Sequence, residues 1–367
     1  MASKQPSTQI KVCLVAISLG SGGAERSTAL LSQMLSEKGF AVSIVILNNV
    51  VDYPYQGNLF NLGELKTKND TVTKRLKRFK KLRSFFIKEN FDYIIDNRTR
   101  SNTAKEIFYL HYLYKNQRIV YVVRSFNILQ YFPKQRWIAK KMIEKSEAIV
   151  GVSKAIAHKI NIDYQTQKSI AIYNPIERFS EKETGHTFNE RYILYLGRIE
   201  ENVKNFTLLL SAYKASKLPE NNIHLNIVGD GPDVDFVQNK IIEMGLSKVV
   251  TMHSFTPHVF TYLKNALYLT LTSYYEGFPR VLIEALSVGT PVLSVDCKSG
   301  PNEIIVNKEN GLLVKNHDID ELVEGMNQLA LDTPLYIKCK ENAIKSVSHL
   351  SMDAVAQQWE TLLKRKK

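Results

Sequence analysis

Short β-rich apolar runs alternating with longer helical stretches predict an α/β protein built on parallel sheets. The runs fall at 12–17, 41–47, 93–95, 119–123, 148–152 and 170–173, then at 192–196, 224–228, 249–253, 268–272, 291–295 and 312–314. Between them apolar residues recur at spacings of three and four, as in Ala29, Leu30, Leu31, Met34 and Leu35. Parallel strands need crossover helices, which this alternation supplies. Two groups of six strands in 367 residues are better housed in two sheets than in one, hence in two domains.

The seam is expected at 176–191. Asn174-Pro175 ends a strand, the next stretch (IERFSEKETGHTFNER) is polar and without period, and the apolar run YILYLG then begins afresh. The domains are therefore set at 1–176 and 190–348. The closing stretch, 349–367, reads as a helix with Val355, Trp359, Leu362 and Leu363 on one side and KRKK at its end. With 44% apolar and 23% charged residues the chain is neither disordered nor fibrous. No run of about 18 apolar residues is present to span a membrane, and residues 1–10 do not read as a secretory leader. Three scattered cysteines, Cys13, Cys297 and Cys339, argue against a disulfide framework and a cysteine-rich zinc site, and fit a reducing cytoplasm.

Charge is unevenly placed. Residues 1–185 hold 30 Lys+Arg against 15 Asp+Glu, and residues 186–367 hold 19 against 21. A net of +15 on one half points to a polyanionic partner: nucleic acid, anionic lipid or a phosphorylated substrate. No zinc finger, RNP-like aromatic motif or helix-turn-helix pattern supports nucleic acid. The densest run, KRLKRFKKLRSFFIKEN, predicts a helix over 73–90. Leu76, Phe79, Leu82 and Phe86 share one broad face, and Lys74, Lys77, Lys81 and Lys88 lie opposite, with Arg78 and Lys80 in the same run. A basic amphipathic helix with aromatic residues is the pattern of an interfacial helix, so docking on an anionic membrane surface is expected. The competing expectation is a surface helix packed on its own sheet.

Candidate chemistry gathers in loops that follow strands. Gly20-Ser21-Gly22-Gly23 follows the first strand and opens a helix, where free N–H groups favour an anion. It lacks the Gly-Lys-Ser/Thr ending of a P-loop, and the second strand ends in Asn48-Asn49 rather than a ribose-binding acid. Gly197-Arg198 ends the first strand of the second half, with Lys204 after a short loop; both cations suit a diphosphate. Gly229 and Gly231 form another turn at the same edge. Glu276 precedes a helix that Pro279 starts and Gly289 ends, and Glu284 lies within it. A ligand at that helix mouth would meet backbone N–H groups near 278–281 with a carboxylate at either end, and carboxylates accept well from sugar hydroxyls.

In order, GGAE at 22–25, LGR at 196–198, KN at 204–205, VGDGP at 228–232, EGFPRVLIEAL at 276–286, GTPV at 289–292, GPNEII at 300–305 and NGLLV at 310–314 resemble glycosyltransferase family 4 along nearly the whole chain. The resemblance implies the GT-B fold: two Rossmann-like domains facing a cleft, with the acceptor on the first, the nucleotide sugar on the second, and a last helix, with Trp359, returning to the first. It implies that Arg198 and Lys204 contact the donor diphosphate, Glu284 the ribose and Glu276 the transferred sugar. Gly277, Phe278, Pro279, Arg280 and Val281 would bind phosphates, with Gly229 and Gly231 nearby and Gly22 and Gly23 bordering the donor. Glu276, Lys204 and Arg124 would carry catalysis, and Arg98, Arg100, Arg124 and Asn127 would meet the acceptor. The resemblance implies no metal and no other cofactor.

Two departures stand out. Many members carry His or Asp where this chain has Arg124, which cannot act as a base. The 198–204 loop is also one residue longer than the commonest form. The activity implied is retaining transfer of a hexose or N-acetylhexosamine from a UDP-sugar to a glycan, on a polyprenyl diphosphate, at the inner face of the cell membrane. Alternatives are a nucleotide-sugar 2-epimerase of the same fold and, in a different class, a basic nucleic-acid-binding protein.

Overall fold

The structure is a computed structural model that describes residues 9–20, 22–67, 69–177, 190–256 and 258–365. Most of the expected seam (178–189), Ser21 of the glycine-rich turn and the last two lysines lie outside the described residues. The chain divides into two compact units, Met1–Pro175 with Met352–Lys367, and Ile176–Ser351.

The first unit carries β1 (Lys11–Ala16), β2 (Ala41–Ile46), β3 (Asn58–Asn61), β4 (Tyr93–Asp96), β5 (Ile119–Val123), β6 (Ala148–Gly151) and β7 (Ser169–Ala171). Its main helices are α1 (Gly23–Glu37), α2 (Val72–Glu89), α3 (Thr103–Phe108), α4 (Arg136–Lys145) and α5 (Lys154–Tyr164). All strand pairs are parallel, in the order β3-β2-β1-β4-β5-β6-β7. The order reverses between β1 and β4, so ligands are expected beyond their carboxyl ends. Residues 12–15 and 93–96 are buried throughout, as sheets covered on both faces require.

The sheet has seven strands rather than the six expected. The addition, β3, is an edge strand pairing with β2. Its four residues, NLFN, are half-buried or exposed, so it has no buried apolar run for a sequence reading to find. It is fixed instead by Phe60 stacked on Phe85 of α2, ring centroids 4.5 Å apart.

Helix α2 narrows the interfacial reading to its lysine face: of the four apolar residues expected on the other face, Leu76 alone stays exposed, at 54%. Thr71 caps its start, and Asn90, at φ 51°, ends it. Leu82 and Phe86 are 0% and 1% exposed, and Phe79 makes edge contacts with Phe108 and Tyr109. Arg78 is buried with its guanidinium forked onto Asp70, which also takes a bond from Arg75. Arg78, Phe79, Leu82 and Phe86 are therefore engaged in the fold and not presented to a membrane. A crossover helix lowers its free energy by turning its apolar stripe onto the protein's own core. Lys74, Lys77, Lys80 and Lys81 remain exposed.

The second unit carries β8 (Arg191–Leu196), β9 (Ile223–Val228), β10 (Val250–His253), β11 (Leu269–Leu271), β12 (Val292–Val295) and β13 (Gly311–Val314). Its helices are α6 (Glu201–Lys204), α7 (Phe206–Ala215), α8 (Val234–Glu243), α9 (Phe260–Asn265), α10 (Arg280–Ser287), α11 (Pro301–Ile304), α12 (Ile319–Leu331) and α13 (Thr333–Ser346). The order is β10-β9-β8-β11-β12-β13, again all parallel, with its reversal between β8 and β11.

The chain closes with α14 (Met352–Leu363), which belongs to the first unit. Val355, Trp359, Leu362 and Leu363 are buried, Trp359 beside Leu31 and Met34 of α1. Lys38 after α1 pairs with Asp353 at 2.7 Å. No described helix is long and apolar enough to cross a membrane. The three cysteines are buried and free.

Candidate active site

The site forms in the second unit at the switch point of its sheet. Beyond β8 the chain passes Gly197 and Arg198 into the single turn of α6, whose last residue is Lys204. Three contacts fix that turn. Asn205, at φ 55°, accepts from Leu208 N with its side chain and so starts α7. The Glu201 carboxylate takes Phe206 N at 2.7 Å, and Thr272, just past β11, donates to Lys204 O at 2.9 Å. The longer loop therefore leaves Lys204 in a defined position.

The next strand, β11, leads to Glu276. Its Oε1 accepts from Lys204 Nζ at 2.5 Å and from Ser273 Oγ at 2.7 Å. Both charged side chains are mostly buried, 17% and 13% exposed, where an ion pair is screened less than at the surface. Among the described residues, Glu276 Oε2 takes no hydrogen bond. Glu276 also adds negative charge near the phenol of Tyr195, which burial already pushes well above its ordinary value.

Pro279 stands at the N-cap of α10 rather than at its first helical position, so the helix begins one residue later than expected, and Gly289 follows the helix at φ 85°. Glu284, inside α10, is 2% exposed and accepts from Arg280 at 3.0 Å. Ser299 Oγ donates to Gly277 O at 2.7 Å, tying the GPNEII loop to the turn before α10. Gly300, at φ 102°, lies so close that an added Cβ would come 2.4 Å from Pro279 Cδ. At the same edge, a Cβ on Gly229 or Gly231 would meet Gly197 O at 1.9 Å or Ile199 O at 2.0 Å. These two glycines let neighbouring loops touch backbone to backbone. The Arg198 side chain is 69% exposed and pairs with Glu200 at 3.2 Å.

In the first unit, Gly22 caps α1 by its backbone and its N–H donates to Tyr53 Oη at 3.3 Å; Gly23 begins the helix. Arg124, past β5, is half-buried and donates to Asn174 Oδ1 and Asn97 Oδ1, both at 2.9 Å. Asn127 is exposed on the following turn.

Arg98 and Arg100 do not line an acceptor surface. Both are 0% exposed. Arg98 grips Asp96 at 3.0 and 2.7 Å and Glu106 at 3.3 and 3.2 Å. Arg100 donates to the carbonyls of Asp96, Arg98, Val122 and Tyr131 at 2.7–3.1 Å. Burial pushes the Asp96 carboxyl up, but Arg98 and Arg100 outweigh it and hold it below the usual carboxylate range. A buried guanidinium needs partners for its donors, and here they staple the β4 and β5 loops together.

The sequence reading passed over Ser273, Thr272, Asn97 and Asn174. Ser273 was visible as the first residue of the loop that carries Glu276. The two asparagines gave no signal, since their roles depend on contacts 27 and 50 residues away in the chain. Among the described residues, no three His, Cys, Asp or Glu side chains are placed to hold a metal ion.

Two doubly wound parallel-sheet units, with a cation and carboxylates at the switch point of the second, make an architecture suited to binding a nucleotide there. Residues 177–346 match the family described as glycosyl transferases group 1. An N-acetylgalactosamine-N,N'-diacetylbacillosaminyl-diphospho-undecaprenol 4-alpha-N-acetylgalactosaminyltransferase of Campylobacter jejuni is 27% identical, over 91% of this chain and 93% of its own length. A lipopolysaccharide 1,6-galactosyltransferase of Salmonella typhimurium is 38% identical over 29% of this chain and 30% of its own. In fold, the chain is similar to S. aureus TarM, solved with fondaparinux, alpha-GlcNAc-glycerol and UDP: TM-score 0.79 and 14% identity, over 97% of this chain and all of that one. The chain thus has the GT-B fold, its second unit matches a group 1 glycosyltransferase domain, and the proteins it is similar to include a diphospho-undecaprenol-linked glycan glycosyltransferase and a lipopolysaccharide galactosyltransferase.

Proposed function

We propose that the protein is a retaining glycosyltransferase that moves a hexose or N-acetylhexosamine from a UDP-sugar to a glycan carried on a polyprenyl diphosphate. The observation that carries this reading is the Lys204–Glu276 pair at the sheet's switch point, with Glu284 eight residues further along. The diphospho-undecaprenol in the name of the Campylobacter relative supports the acceptor, and UDP in the TarM structure supports the donor.

In this reading the donor diphosphate meets Lys204, Arg198 and the first N–H groups of α10, so its charge is balanced without a metal. Glu284 takes the ribose hydroxyls. Glu276 is held by Lys204 and Ser273 through Oε1, leaving Oε2 for the transferred sugar. Arg124 is always protonated and serves by binding acceptor charge rather than by taking a proton. The leaving phosphate accepts the acceptor's proton on the face it vacates, so the protein contributes position and electrostatics. The enzyme works in the cytoplasm at the inner face of the membrane, with Lys74, Lys77, Lys80 and Lys81 facing anionic lipid.

The test is a thermal-shift series with UDP, GDP, ADP and their sugars, followed by transfer to a prenyl-diphosphate-linked glycan with the new anomeric configuration read by NMR. A ligand at 100 times its Kd stabilises by about 2.7 kcal/mol. UDP-selective stabilisation and retained configuration are expected. Stabilisation by another nucleotide alone overturns the donor, and inversion overturns the mechanism.

A further inference from the structure

A cavity lies wholly within the first unit, between the stretch that follows β5 and helix α5. It has a volume of about 390 Å³, within the ordinary range for small-molecule sites. Lys134, Arg136 and Lys159 line it with one carboxylate, Asp163, against walls that include Phe126 and Tyr164. Lys159 Nζ pairs with Asp163 at 2.8 Å and sits 5.4 Å from the Phe126 ring centroid. Arg136 is anchored on the Asp163 carbonyl and lies beside the Tyr164 ring, which packs on Phe132 at 5.2 Å. Lys134 is exposed and has no hydrogen bond or ion pair among the described residues. Three cations against one acid leave the cavity two charges positive.

Its rim is apolar. Leu129, which lines the cavity, is 47% exposed, and Trp137, next to Arg136 at the start of α4, is 63% exposed. An exposed leucine in the lining, an exposed tryptophan next in the chain to a lining arginine, and the unpaired Lys134 are the two halves of one kind of recognition, for a ligand charged at one end and apolar at the other.

We propose that this cavity binds the phosphate group of an amphiphile, a phosphate or diphosphate ester with an apolar chain, whose chain lies along Leu129 and Trp137. Lys134 supplies the open cation, Arg136 and Lys159 set the field, and the aromatic walls exclude water from the ester. The proposal rests on the glycosyltransferase reading only for its biological sense: such an ester would come from a prenyl-diphosphate acceptor or from a lipid headgroup.

The test is titration of the full chain with geranyl diphosphate, inorganic diphosphate and UDP, together with flotation on phosphatidylglycerol vesicles. Geranyl diphosphate is expected to bind at least tenfold more tightly than inorganic diphosphate. Lys134→Glu should weaken it tenfold or more. Trp137→Ala should weaken geranyl diphosphate and leave inorganic diphosphate unchanged. UDP affinity should be the same in all three proteins, so loss of UDP binding by wild type would count against the donor assignment and not against this cavity. Binding of geranyl diphosphate without flotation sustains the proposal with the acceptor as source, and Lys134-dependent flotation sustains it with the headgroup as source. Wild-type affinity for both probes in Lys134→Glu, or no binding of either by the wild type, overturns it.

Discussion

Lys204 and Glu276, 72 residues apart in the chain, meet at 2.5 Å where β8 and β11 diverge. Each ends a loop from one of the two strands that flank the sheet's reversal, and Thr272 and Ser273 brace the contact from β11. The pairing holds the cation and the carboxylate in place before any donor arrives, which lowers the reorganisation a charged transition state would require.

Glu276→Gln should lower kcat by about a hundredfold or more, because the lost charge faces the sugar that becomes positive. Glu284→Gln should instead raise the donor KM by about tenfold, as expected for a charged hydrogen bond to the nucleotide. Steady-state kinetics on both variants separates the two roles. Near-wild-type turnover in both would remove the site assignment.

Activity should survive excess EDTA, while Lys204→Ala should lose most of it, having neither the cation at the diphosphate nor the partner of Glu276. Activity abolished by EDTA and restored by Mg²⁺ or Mn²⁺ would contradict this.

Arg98→Met should cost about 3–5 kcal/mol of stability, since Asp96 and Glu106 would be left buried without their shared cation. Urea unfolding measures it. An unchanged midpoint combined with a raised acceptor KM would return Arg98 to the acceptor site.

The two faces of α2 should respond differently. Phe86→Ala should destabilise by about 3–5 kcal/mol, as for other buried aromatic truncations. Changing Lys74, Lys77, Lys80 and Lys81 to Glu should leave stability nearly unchanged and reduce co-sedimentation with anionic liposomes at low salt. Equal pelleting of this variant and wild type would exclude α2 from membrane contact.

The Asp70 carboxyl is held down to about 2, chiefly by its hydrogen bonds from Arg78, with Arg75 assisting. Its folded value lies below the unfolded one of about 3.9, so the clamp's contribution is present above that pH and is lost as the pH falls through about 2. Arg78→Gln should move the Asp70 midpoint, followed by carboxyl NMR, back toward 4. An unmoved midpoint would mean that Arg78 is not its partner.

The two-sheet α/β plan and the order of the site motifs were legible in the order of the residues. Parallel strands covered on both faces must be apolar along their length, so twelve of them show as runs; β3 escaped because an edge strand of NLFN buries too little to leave a mark. The spacing of Glu276 and Glu284 was equally legible, because one loop and one helix fix it locally. Tertiary structure decided what each charge and each apolar face meets. Periodicity showed that Leu82 and Phe86 would leave water, but whether they entered a membrane or the protein's own core depended on which surface α2 could reach. Arg98, Arg100 and Arg78 carried the same charge in the sequence as Lys74 or Lys77. Only the position of Asp96, Glu106 and Asp70 around them made three of these cations internal fastenings, because a guanidinium enters a low-dielectric interior only where acceptors already wait.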